Sequence, residues 1–195
     1  MNEAGVTGKM IKSNDYTLSF AAANAYAVAL VIPIVALFLV PYGWIYGVQA
    51  LWTDLFHFFE TPILFLIAVV IGTVVHEFIH AVCWSWLDDI PWSKIHFGFK
   101  WKLLTPYVHC PEPVELSNYR WGVAMPGIVL GVVPFLLALI LQHGWLLGFS
   151  LFFTLAAGGD ILILWLLRGV RNGIKVQDHP ELVGCKVMSG SENAH

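Results

Sequence analysis

The run His76-Glu77-Phe78-Ile79-His80 holds the residue types and spacing best suited to chemistry in this chain. Residues four apart on a helix lie one above the other on the same face, so both imidazoles can reach one metal ion while Glu77 projects beside them. This is the HExxH arrangement, in which two histidines bind zinc and the glutamate acts as general base toward zinc-activated water. With this chain's composition, such a match arises by chance in roughly one sequence in a hundred.

The stretch around it, Thr61 to Trp84, is apolar and long enough to cross a bilayer. Ionisable groups near a bilayer centre are unfavourable by a few kcal/mol each, and they normally face a bundle interior and mark function. Two histidines and a glutamate within five residues therefore need a compensating partner, which a divalent cation supplies.

Catalytic zinc usually takes three protein ligands and keeps one position open. Asp160, in Ala156-Ala157-Gly158-Gly159-Asp160, is the one acidic residue besides Glu77 well inside an apolar stretch. It lies eight residues before Arg168, as His80 lies eight before Asp88. At about 1.5 Å per residue both sites sit about 12 Å from the helix ends, at matching depth. Gly158 and Gly159 would let this helix approach the HExxH helix closely. His109, Cys110, Asp178 and His179 remain alternatives that could fold back over the site, and Cys83, one face round the helix, has the softness zinc accepts. Asn118, Arg120 and His109 are candidate oxyanion donors, and the sequence does not choose among them.

The elements that must position these groups belong to a membrane protein. The chain is 58% apolar and 12% charged, against about a quarter charged in soluble domains. Nine tryptophans suit a hydrocarbon–headgroup boundary, and a net charge of -3 leaves no basic footprint for nucleic acid. Three cysteines without a CxxC pair imply neither a disulfide framework nor a zinc knuckle. The polar N-terminus lacks the pattern of a cleaved signal peptide.

Four spans are expected, at about residues 20–40, 61–84, 122–141 and 145–167, with the aromatic-rich stretch 41–60 as an interfacial or re-entrant piece. All ten lysines and arginines fall before the first span, between the second and third, or after the fourth. That bias places both termini in the cytoplasm. Between the second and third spans, Ile95, Phe97, Phe99 and Trp101 alternate with polar residues or glycine, and Leu104 to Cys110 could pair with them as a hairpin before Pro111 and Pro113 break it. The expected fold class is thus an all-α polytopic membrane protein with about four transmembrane helices and a small cytoplasmic β-hairpin. Residues 1–19 are a cytoplasmic segment, 20–167 one membrane-embedded metallopeptidase domain, and 168–195 a polar cytoplasmic tail.

These residues resemble the site-2 protease clan of intramembrane zinc metallopeptidases and, more closely, a compact bacterial zincin peptidase family that was formerly a domain of unknown function. The resemblance rests on HEFIHA from His76, YVHCPEP from Tyr107, GGD ending at Asp160 and DHPELVGC from Asp178. It implies Zn2+ as cofactor, ligands His76, His80 and Asp160, Glu77 as the catalytic base, a membrane protein or peptide as substrate, and the bacterial cytoplasmic membrane as location. In the clan the aspartate stands in an NPxPxxxxDG-like setting, where this chain has only GGD. The rival reading is a zinc-binding membrane adaptor or transport component that does not cleave. Glu77 argues against it, since a non-catalytic zinc site needs no acid beside its first histidine.

Overall fold

The computed structural model describes residues 15–57, 60–101, 105–179 and 182–188. Lys9, Lys12, Phe58, Phe59, Lys102, Leu104, Pro180 and Glu181, all within segments used in the sequence reading, lie outside these.

After a short strand, β1 (Asp15–Leu18), the Ser19 hydroxyl caps α1 (Phe20–Tyr46) by accepting the Ala22 N–H at 3.2 Å. Gly47, at φ 86°, ends α1, and α2 (Val48–His57) folds back. The Tyr42 hydroxyl donates to Asp54 across that corner at 2.7 Å. This short helix occupies the stretch expected to be interfacial or re-entrant. Pro62 opens α3 (Pro62–Leu87), a position where its missing N–H costs nothing.

The loop beyond α3 forms a hairpin, β2 (His96–Lys100) with β3 (Thr105–His109), in which Phe97 lies opposite Val108 and His96 opposite His109. A two-residue strand, β4 (Val114–Glu115), leads into α4 (Leu116–Pro126). Glu115 caps α4 by accepting the N–H groups of Ser117 at 2.6 Å and Asn118 at 3.3 Å. Through a π-helical stretch, Gly127–Val132, α4 runs into α5 (Val133–Leu141), and α6 (Gly144–Ala156) and α7 (Gly158–Leu167) follow.

Among the described residues three helices are long and apolar enough to cross a membrane, at 21–46, 62–87 and 116–141. A fourth crossing is available if α6 and α7, bent by 50° at their junction, act as one span. Many side chains of α1 and α3 face outward: Val28, Ile32, Ile63, Val70 and Ile71 are all more than half exposed. Such surfaces on helices of spanning length are consistent with a membrane protein. The third helix starts at Leu116, six residues before the expected 122, because the Glu115 cap lies outside the apolar run.

The expectation of an all-α chain with one hairpin is incomplete. The protein also carries β5 (Lys175–Asp178) and β6 (Val183–Met188), which join a four-stranded sheet in the order β1-β6-β5-β4. Asp15 pairs with Lys186 and Val114 with Val176, so β1, the loop before α4 and the stretch after α7 meet at one end of the molecule. Gly184, at φ 121°, lies so close to the Tyr16 carbonyl that a Cβ would overlap it. One buried cluster, including Ala81, Trp84, Ile95, Val108, Val114 and Val176, ties α3 and the hairpin to this sheet. Side chains of this kind removed from water contribute about 1.5–3 kcal/mol each. A second cluster, including Phe38, Tyr42, Phe135 and Leu147, joins α1, α2, α5 and α6 at the far end.

Candidate metal centre

His76 and His80 project from one face of α3, with ring centroids 5.0 Å apart and Nε2 atoms 3.3 Å apart. Asp160, in the first turn of α7, reaches the same point: its Oδ2 is 3.1 Å from His76 Nε2 and its Oδ1 is 3.6 Å from His80 Nε2. The break at Ala157 explains its place, since a carboxylate is favoured in the first turn of a helix. Gly158 and Gly159 do not bring α7 against α3 as expected. A Cβ on Gly158 would face Ala27 of α1 at 3.5 Å, and Gly159 faces open space.

His80 is buried, and its Nδ1 donates to the Gly122 carbonyl at 2.9 Å. In the neutral ring that bond leaves the Nε2 lone pair directed at His76 and Asp160. The indole of Trp84, one turn further along α3, stacks on the His80 ring at 5.7 Å and on Tyr119 at 6.1 Å. Glu77 points beside the cluster, and its Oε2 accepts the Val108 N–H of β3 at 2.9 Å. A cavity of about 140 Å³ lies between these groups, lined by His76, Glu77, His80, Val108, Tyr119, Asp160 and Asp178, among others.

The donor set fits a divalent cation. Two imidazole nitrogens and a carboxylate oxygen lie within 4.8 Å of one another. Protons are too few to satisfy them: a single His76 Nε2–H faces three acceptors, His80 Nε2 and the two Asp160 oxygens, and those it does not serve are left unpaired. A buried acceptor left in that state costs about 1–3 kcal/mol, more if charged. Nitrogen and carboxylate donors in this number suit zinc and leave a coordination position open.

The other residues singled out in the sequence go elsewhere. Cys83 lines an apolar groove of about 570 Å³ on another face of α3, with Phe78, Ile79 and Trp121. Asn118 donates to the Leu87 carbonyl at 2.9 Å, and Arg120 donates to the carbonyls of Leu167 and Val170 at the end of α7 and to Asn172. His143, which is not among those candidates, caps α6 by accepting the Leu146 N–H at 3.3 Å. Cys110 and Cys185 are buried free thiols. Asp178 borders the cavity and bonds His109 at 2.8 Å, outside the three-residue ligand group. The parts of the site that went unread are Val108, whose role is a backbone N–H, and Tyr119, a fully buried residue with no motif around it.

Residues 66–175 match the sequence model of the family described as putative zincin peptidase. The chain belongs to that family. The match takes in His76, Glu77, His80 and Asp160, and it ends three residues before Asp178. A zincin family implies zinc and suggests a metallopeptidase, in agreement with the His76, His80 and Asp160 group. No curated protein and no solved structure matches the chain.

Proposed function

We propose that this protein is an intramembrane zinc metallopeptidase of the site-2 protease type, which hydrolyses peptide bonds in or near membrane segments. The convergence of His76, His80 and Asp160 beside Glu77, on helices of membrane-spanning character, carries the reading.

In this reading His76, His80 and Asp160 hold the ion. Zinc, when bound, supplies Lewis acidity toward water and a peptide carbonyl. Glu77 takes the proton of the attacking water and passes it to the leaving amine, the role of a positioned general base and acid. The Val108 N–H keeps one Glu77 oxygen engaged and so sets which oxygen meets the water. Peptide in a spanning helix has its carbonyls tied up in the ladder, so the substrate segment unwinds locally and is held extended along the β2–β3 hairpin by strand addition.

Residues 20–167 act as one membrane-embedded domain crossing four times, with α6 and α7 together as the last crossing. Pairing of β1 with β6 and of β4 with β5 supports this count, because it needs the chain to return to the same end. The lysine and arginine distribution favours a cytoplasmic location for that end and both termini.

The test is cleavage of a panel of single-span peptides by the protein reconstituted in lipid vesicles. Wild type is expected to cut members of the panel, with Glu77→Gln reduced at least 100-fold, the lower range for loss of a general base. Wild type that holds zinc yet cuts none of the panel would overturn the peptidase reading in favour of a non-cleaving zinc-binding adaptor or transport component.

A further inference from the structure

The tail strand β5 delivers a third carboxylate to the wall of the cavity. Asp178 stands about a hundred residues from the HExxH run in sequence, yet it lines the same cavity of about 140 Å³ as His76, Glu77, His80 and Asp160. Both of its oxygens are engaged, by groups from two other elements that flank the site. Oδ2 accepts from His109 Nδ1 at 2.8 Å, and Oδ1 accepts from the Tyr119 hydroxyl at 3.2 Å.

Each partner leads back to the chemistry. His109 follows Val108, whose N–H holds Glu77, so one short stretch of β3 is fastened to the general base at one residue and to Asp178 at the next. Tyr119 is buried and stacks at 7° on Trp84, which stacks at 19° on the His80 ring. Asp178 therefore closes a ring of contacts around the cavity that runs through Glu77, Val108 and His109 on one side and through His80, Trp84 and Tyr119 on the other.

We infer that Asp178 is a positioning residue for this site, holding β3 in the register that keeps the Val108 N–H on Glu77. The inference rests on the peptidase reading only for its kinetic consequence; the positioning itself is a property of the folded chain. A carboxylate is a poor choice for packing alone. Asp178 is only 18% exposed at its side chain, its neighbours Val176 and Cys185 are buried apolar groups, and apolar residues stabilise such a place at least as well. Supporting groups of this kind, one step from reacting residues, typically change activity by about 10- to 100-fold when altered.

Two readouts test it. The first is hydrogen exchange at the Val108 amide in the metal-free protein, compared among wild type, Asp178→Asn, His109→Asn and Val187→Ala, the last a change in β6 that leaves the ring intact. Exchange at Val108 is expected to quicken about tenfold or more in the Asp178 and His109 variants and to stay near wild type in Val187→Ala. The second is peptide cleavage by the zinc-loaded protein, where Asp178→Asn is expected to lower kcat about 10- to 100-fold with KM within about threefold. Unchanged Val108 exchange in both ring variants, or equal quickening in Val187→Ala, overturns the inference whatever the activity. Quickened exchange with no cleavage by wild type leaves Asp178 as the positioning residue and removes the peptidase reading instead.

Discussion

His80 Nδ1 donates to the carbonyl oxygen of Gly122 at 2.9 Å, which ties the cavity-lining imidazole of α3 to the backbone of α4. The same glycine makes room for the indole packed on that imidazole. A Cβ at residue 122 would lie 2.8 Å from Trp84 Cδ1, and Trp84 is only 4% exposed and stacked on both sides, so it has nowhere to go. Gly122→Ala is therefore expected to tilt His80 and weaken zinc binding by about 10- to 100-fold, as loss of the group orienting a metal ligand does. Competition with a zinc chelator reads this directly, and an affinity equal to wild type would contradict it.

Glu115 sets a pH dependence outside the helical spans. Its carboxylate is held below the usual range chiefly by the Ser117 hydroxyl, with the Gly173, Ser117 and Asn118 N–H groups adding to the effect. A carboxylate lowered in the folded state stabilises the fold above its unfolded value of about 4.3 and loses that contribution as pH falls through the folded value. Glu115→Gln should thus be less stable than wild type at neutral pH by about 1 kcal/mol, the usual worth of a helix cap. The gap should close as pH falls through the folded value. Unfolding midpoints in detergent at a series of pH values check it; two parallel curves would contradict it.

Much of the centre was legible from residue types. HExxH on an apolar run points to one helix face able to hold a metal, and counting residues to the charged helix ends puts Asp160 level with His80, which the 3.6 Å separation matches. The alternation from Ile95 to Trp101 marked β2, and a local hairpin partner was within reach. The four-stranded sheet was not, because strands of two to six residues carry little pattern of their own. What builds it is pairing between distant segments, as of Tyr16 with Cys185, for which no local signal exists. Asp178 shows the same limit: its residue type was noted, but its place on the cavity wall follows from that sheet.

The sheet can be probed through Cys185. Burial, helped by the carboxylates of Asp178 and Asp15, pushes its thiol up to about 12, and the side chain is fully enclosed. The reactive thiolate is therefore scarce at neutral pH, and reagent reaches it only when β6 detaches. Alkylation of Cys185 in the folded protein is expected to be slow, and Gly184→Val, which forces a side chain against the Tyr16 carbonyl, should speed it about tenfold or more. Rapid alkylation of wild type would contradict the pairing of β6 between β1 and β5.

The central claim is that His76, His80 and Asp160 hold one zinc ion and that Glu77 does not. Metal content of the purified, folded protein in detergent, measured for wild type, His80→Ala, Asp160→Ala and Glu77→Gln, tests it most directly. The account predicts about one zinc per chain in wild type and Glu77→Gln, with zinc lost or much weakened in His80→Ala and Asp160→Ala. Folded wild type that takes up no transition metal, or an Asp160→Ala protein that binds zinc as tightly as wild type, would contradict it.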